Sequence, residues 1–160
     1  MRIRSVTLSL ASTLTLFICI SAALAQEKPN FSGTWKLNPA KSDLAGLPPY
    51  SAIVRIDHKE LRITSTYKVN ISGREIEETI TFTTDGSETK NKTSDAEMTY
   101  KGRWEGLVMI REAKGKMSNG MSLTRQDWWT LSKDGKELTM RRHSSTDTAE
   151  EEVRFVLEKQ

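Results

Sequence analysis

Cysteine is almost missing from this chain. Its 160 residues hold one, Cys19, inside the amino-terminal stretch LFICIS. A lone cysteine excludes an internal disulfide framework and any Cys-x-x-Cys metal or redox centre. Histidine is nearly as scarce, with only His58 and His143 present. The two are too far apart in sequence to form a local metal motif. No Gly-x-Ser-x-Gly elbow, phosphate loop or calcium loop occurs. Carboxylates are plentiful, but no spacing singles out a glycosidase pair. The basic residues do not interleave with aromatics as a nucleic-acid platform requires. These gaps weigh against an enzyme. The one pairing left for that reading is His143 with a carboxylate.

Long apolar runs are missing too, with one exception at the start. Arg2 and Arg4 precede an apolar stretch from about Val6 to Ala23, and small residues follow at Ala23 and Ala25. That order of charge, apolar segment and small-residue site is the pattern of a secretory leader. Its strongly apolar part, Leu14 to Leu24, is short for a membrane span. The expected organisation is a signal peptide at 1–25 and a single domain at 26–160. Cys19 then leaves with the leader. An exported domain without disulfides points to a bacterial envelope, periplasmic or secreted. The formal charge of +3 falls by the two leader arginines to +1. So weak a charge predicts no electrostatic capture of nucleic acid.

What the remaining chain has is alternation. In FSGTWKLN, Phe31, Gly33, Trp35 and Leu37 share one face. Leu61, Ile63, Ser65, Tyr67 and Val69 do so in the third apolar run. Ile76, Ile80 and Phe82 follow, with Glu78 among them. Turn residues separate the runs: Lys59 and Glu60, Gly73, Asp85 to Ser87, Glu105 and Gly106, and Lys133 to Lys136. Period-two patterning broken at short intervals reads as antiparallel strands joined by hairpins. About ten strands are expected, in an all-β antiparallel up-and-down barrel of about 8–10 strands. A β-sandwich is the alternative. Closure favours the barrel, because it removes exposed strand edges. The segment NPAKSDLAGLPPY is the longest irregular stretch, with room for one helical turn at Ala40 to Ala45.

The first strand carries a Gly-x-Trp motif, Gly33 and Trp35. A tryptophan there can plug one end of a small barrel while the glycine lets a neighbouring chain approach. FSGTWKLN resembles the opening strand of the lipocalin and fatty-acid-binding-protein group, the calycins. The chain also looks like uncharacterised lipocalin-like proteins exported by bacteria, which share this start and a turn of the form LSKDGKELT, here Leu131 to Thr139. The resemblance implies a lipocalin-like barrel. It also implies an arginine packed across Trp35, with Arg154 in EEVRFVLEK, or Arg141 and Arg142 in TMRRH, as candidates. The helix pair that lids a fatty-acid-binding protein has no counterpart in the short segment after strand one.

The informative anomaly is charge on inward faces. Met121, Leu123, Trp129 and Leu131 share theirs with Arg125 and Asp127. Leu138 and Met140 share theirs with Arg142. Buried charge must pair, reach water or meet a ligand. One reading is a structural ion pair, or a bulge that swaps the faces. The other is a cavity in which Arg125 or Arg142 holds a carboxylate while Trp129, Tyr67, Phe82 and Met109 form an apolar wall. The expected function is a non-catalytic barrel that binds a hydrophobic or amphipathic small molecule, without a cofactor, nucleic-acid partner or stable membrane insertion. The alternative is a packed structural or interaction protein of the bacterial envelope with no small-molecule ligand.

Overall fold

The computed structural model describes residues 27–160, with Ala45, Pro49, Glu60, Ser94 and Asp95 excepted. The expected leader at 1–25 lies outside these residues. Ten strands follow one another: β1 Gly33–Leu37, β2 Tyr50–Lys59, β3 Arg62–Ile71, β4 Arg74–Thr83, β5 Thr89–Lys92, β6 Ala96–Glu105, β7 Val108–Met117, β8 Ser122–Leu131, β9 Glu137–Thr146 and β10 Glu150–Lys159. They form one sheet in the order β4-β3-β2-β1-β10-β9-β8-β7-β6-β5. First and last strands meet antiparallel, with Trp35 opposite Lys159 and Leu37 opposite Leu157. The sheet therefore curls into a nearly closed up-and-down barrel, and the sandwich alternative falls.

Local chemistry sets the hairpins. Ser72 and Gly73 both take positive φ, 52° and 88°, between the paired residues Ile71 and Arg74. Two left-handed residues in a two-residue loop match the twist of the flanking strands. The Asp85–Ser87 turn behaves differently from the hairpin expected there. The Ser87 N–H donates to Asp85 Oδ1 at 3.0 Å, so the turn forms, yet β4 and β5 share no ladder among the described residues. The Gly86 N–H instead donates to the Gly102 carbonyl of β6 at 2.9 Å. Gly102 permits this approach, since a Cβ there would lie 2.5 Å from the Thr83 carbonyl oxygen. The seam is bridged by a side chain. The Thr81 N–H donates to Asn91 Oδ1 at 2.9 Å, and Asn91 Nδ2 donates to the Thr81 carbonyl at 2.8 Å. One amide thus stands in for a pair of ladder bonds.

No helix forms between β1 and β2 among the described residues. A turn at 39–41 replaces the expected helical turn. Asp43 then exchanges backbone hydrogen bonds with Arg154 of β10, at 2.8 and 2.7 Å. Leu44 and Leu47 of the same segment pack against the core.

Candidate functional site

One end of the barrel is solid. Phe31, Trp35, Phe82, Met109 and Trp129 are each 0% exposed. Trp129 meets Phe31 and Phe82 edge-on, with centroids 5.5 and 5.8 Å apart. Phe31 stacks on Trp104 at 5.8 Å and on His58 at 5.8 Å. Trp35 donates from Nε1 to the Phe31 carbonyl at 2.9 Å. Trp35 is therefore the plug expected from its motif. The cation over its ring is Lys159, 5.4 Å from the centroid, and not Arg154, Arg141 or Arg142. Strand parity explains the difference. Val153, Phe155 and Leu157 of β10 point inward, so Arg154 points out and Lys159, in phase with them, points in. Gly33, at φ 141°, leaves the space that Lys159 occupies; a Cβ there would sit 3.0 Å from its Cε.

Above this plug the inner face carries a row of charges. Arg111 of β7, Asp127 of β8 and Arg142 of β9 lie directly opposite one another. Arg111 donates from Nε and Nη2 to Asp127 Oδ2 at 2.9 and 2.6 Å. Arg142 donates from Nε to Asp127 Oδ1 at 2.6 Å. A third donor of Arg111, Nη1, crosses the barrel to the Tyr67 hydroxyl at 3.0 Å. The Arg111 guanidinium also lies 5.1 to 5.6 Å from the centroids of Phe82, Tyr100 and Trp129. Aromatic faces and a carboxylate together compensate for lost hydration. Burial alone would push the Asp127 carboxyl up, but Arg111, Arg142 and Arg125 hold it well below the usual carboxylate range. Burial would likewise lower Arg111 and Arg142; Asp127 more than offsets it, and both are raised. All three groups are charged across the ordinary pH range.

Arg125 is two residues from Asp127 on the same inner face of β8, yet its surroundings differ. It donates from Nε to Ser144 Oγ at 3.4 Å. Among the described residues no carboxylate forms a salt bridge with it. Arg142's charge, with burial second, pushes Arg125 down to about 10. Arg125 and Arg142 face a cavity of about 110 Å³ whose apolar wall includes Ala52, Ile80, Met140 and Phe155. Tyr50, Tyr67 and Glu78 complete its polar lining. A larger groove of about 320 Å³ lies on the outer face, beside Lys101, Glu112, Gln126 and His143. It is open and of mixed charge, and it is set apart from the Arg111, Asp127 and Arg142 row.

The structure brings together Arg125, Arg142 and Tyr67 of the expected site. It places Trp129, Phe82 and Met109 in the packed end instead of along the cavity. Of the inward charges, Arg142 is in an ion pair with Asp127, whereas Arg125 lines the cavity and forms no salt bridge among the described residues. His58 lies near the end of β2 inside the aromatic stack, where its Nδ1 accepts from the Phe31 N–H at 3.3 Å. His143 alternates outward from Arg142. Sequence reasoning missed Arg111, which lies in phase with Met109 and Ala113; that phase was the available signal. It also missed Tyr50 and Phe155, whose rings meet at 5.8 Å beside the cavity. Two buried polar atoms have no hydrogen-bond partner among the described residues, Ser65 Oγ and Trp129 Nε1.

No protein-family model matches this chain, and no curated protein matches it by sequence. Solved structures do match in shape. Zebrafish ileal bile acid-binding protein in complex with cholic acid aligns with a TM-score of 0.54 at 15% identity, over 81% of this chain and 98% of that one. Apo lipid binding protein 8 of Caenorhabditis elegans aligns with a TM-score of 0.51 at 13% identity, over 81% and 95%. Secretory abundant heat soluble protein 4 of Ramazzottius varieornatus aligns with a TM-score of 0.53 at 11% identity, over 85% and 99%. The fold is the calycin β-barrel, of the fatty-acid-binding-protein and lipocalin kind. At these identities the likeness extends to fold alone.

Proposed function

We propose that this protein is an exported, non-catalytic barrel that takes a small amphipathic molecule into its interior. The polar group would lie at the Arg125 and Arg142 end, with Tyr67 beside it, and the apolar part against Ala52, Ile80, Met140 and Phe155. The observation that carries this reading is the cavity itself. It combines an apolar wall with a guanidinium that has no carboxylate partner among the described residues, the pairing of surfaces that amphipathic ligands require. The names of two neighbours, a bile acid-binding protein and a lipid binding protein, support the class of ligand. Export rests on the leader pattern at 1–25, and the bacterial envelope on the lack of disulfides.

A second reading has its own observation. The cavity, at about 110 Å³, is well below the ~300–1,000 Å³ usual for drug-sized ligands. A barrel filled by its own side chains would instead serve as a structural or interaction protein of the envelope. Native mass spectrometry before and after delipidation separates the two. A bound mass that strips off supports the carrier and gives the ligand's class. A clean apo mass, with no thermal shift from short and long amphiphiles, supports the packed barrel.

A further inference from the structure

We propose that three methionines at the rim of the polar end, Met98, Met117 and Met121, form a binding site for a soft monovalent cation, copper(I). The site is separate from the Arg125 cavity, whose lining includes none of the three. Met109 and Met140 are buried along the interior and fill it, the usual task of a methionine in a core. Met98, Met117 and Met121 instead gather where β6, β7 and β8 reach the rim. Met98 is in phase with Tyr100, Met117 with Ala113, and Met121 with Leu123, and those three partners are all buried. The methionine side chains therefore share the inner face.

Strand register brings them within reach of one another. The Met117 N–H donates to the Met121 carbonyl at 2.9 Å. That bond sets the two directly across the β7–β8 hairpin, one step beyond the Lys116–Ser122 pair. Ala96 is opposite Met117 and Gly115 is opposite Met98, so Met98 and Met117 are diagonal neighbours, a spacing that long side chains span. A Cβ at Gly115 would collide with the Glu97 carbonyl and lie 2.9 Å from Met98 Cα. The two strands are thus pinched together there, and no side chain at 115 separates Met98 from Met117. Met98 is 3% exposed, whereas Met117 and Met121 are half-buried, so a cation can enter from the rim.

Donor type decides the kind of cation. Thioethers are neutral and polarisable, and they select copper(I) over hard cations. Among the described residues no group of three His, Cys, Asp or Glu side chains could hold a metal ion, so zinc and calcium lack the donors they prefer. A neutral donor set leaves the charge of the cation uncompensated, which favours one positive charge over two. A counter-charge stands nearby. Asp147 Oδ2 accepts from the Ser122 N–H at 2.9 Å, which holds its carboxylate at the residue next to Met121. Lys92 and Lys116 of the same rim are exposed and alternate outward, and Arg125, further along β8, faces the cavity.

Silver(I) is the probe, since it matches copper(I) in charge and softness and keeps its oxidation state. The purified protein, carrying carbon-13 at its methionine methyl groups, is titrated with silver nitrate in chloride-free buffer. Native mass spectrometry should show a single silver ion bound. The methyl signals of Met98, Met117 and Met121 should move together, while those of Met109 and Met140 stay in place. Copper(I), added anaerobically as its acetonitrile complex, should displace the silver one for one, and zinc should not. Met117→Leu, which nearly conserves volume, should weaken silver binding at least ~10-fold by removing one donor of the set. Met109→Leu, in the packed end, should leave it unchanged. If Met117→Leu fails to fold, the methyl shifts of the unmutated protein decide. Shifts confined to Met121, or spread over every methionine, overturn the inference. So does silver affinity indifferent to Met117→Leu, or silver displaced by zinc. None of these outcomes touches the carrier reading, because the Arg125 cavity shares no residue with this site.

Discussion

At one end of this barrel the inward positions hold Phe31, Trp35, Phe82, Met109 and Trp129. At the other they hold Tyr50, Tyr67, Glu78, Arg125 and Arg142. The same strands supply both ends: β8 contributes Trp129 to the first and Arg125 to the second, four residues apart. Period-two alternation decides which side chains face in. It does not decide whether they fill the space. Aromatic rings interlock edge to face and leave no gap. Guanidinium groups cannot collapse onto one another, so their end stays partly open unless carboxylates intervene. Asp127 intervenes for two arginines out of three. The space that persists lies beside the third.

The strongest way to break the packed end is Trp35→Ala. It deletes a ring that is 0% exposed, its hydrogen bond to Phe31 and the seat of Lys159. Such truncations cost about 3–5 kcal/mol, and this one should fall at the top of that range in chemical denaturation. Binding at the polar end should survive in whatever fraction still folds. A loss of binding without a loss of stability would place Trp35 in the ligand site and erase the contrast between the ends.

Asp127→Asn attacks the other end and should cost about 3 kcal/mol. It leaves Arg111 and Arg142 facing each other without their shared anion. The sign with pH follows from the depressed Asp127 carboxyl. Its stabilisation is fully present above the unfolded carboxylate value of ~3.9, declines as pH falls below it, and ends only below the much lower folded value. The stability gap between the native protein and Asp127→Asn should therefore be constant from pH 8 to 5 and shrink below pH 4. A gap unchanged at pH 3 would mean that the charge of Asp127 contributes nothing.

How much of this contrast was legible in the chain depends on how local each contact is. The barrel could be read because alternation and turn chemistry are properties of neighbouring residues. The Asp127–Arg142 pair was within reach, since a hairpin turning at Lys133–Lys136 sets those two strands face to face. Arg111 was not, because its partner lies across the loop 118–121, whose polar residues leave the register open, and a one-residue slip there reverses its face. The contact between Arg111 and Tyr67 crosses the interior between strands far apart in the sheet, and no spacing encodes it. Trp129, Phe82 and Met109 were correctly inward. Their height along the barrel, which separates plug from cavity wall, depends on strand stagger, and that was not visible. The seam between β4 and β5 was hidden for a similar reason: Asp85–Ser87 is a good turn whichever strand the chain joins next.

Between the two ends lies Ser65, 0% exposed and with its hydroxyl unpartnered among the described residues. An unsatisfied buried hydroxyl costs about 1–3 kcal/mol. Ser65→Ala should accordingly stabilise the protein by about 1 kcal/mol in denaturant titration. A destabilised variant would show that the hydroxyl has a partner in solution, and would extend the polar end along β3 from Tyr67 to Ser65.

The smallest expected effect belongs to Arg125, and it sharpens the comparison most. The other members of the charged cluster hold the fold together, whereas Arg125 works against it through repulsion from Arg142. Arg125→Gln removes that repulsion and keeps a polar side chain of similar reach. In the absence of ligand it should raise stability by about 0.5 kcal/mol, a melting-temperature gain of about 2 °C for a domain of this size. Under the proposed binding role, a residue that slightly destabilises the empty protein is the trade expected where function needs an uncompensated charge. Scanning calorimetry with ligand stripped away checks the sign. A loss of 1 kcal/mol or more would make Arg125 a member of the structural network, and the polar end would then support the fold no less than the aromatic end does.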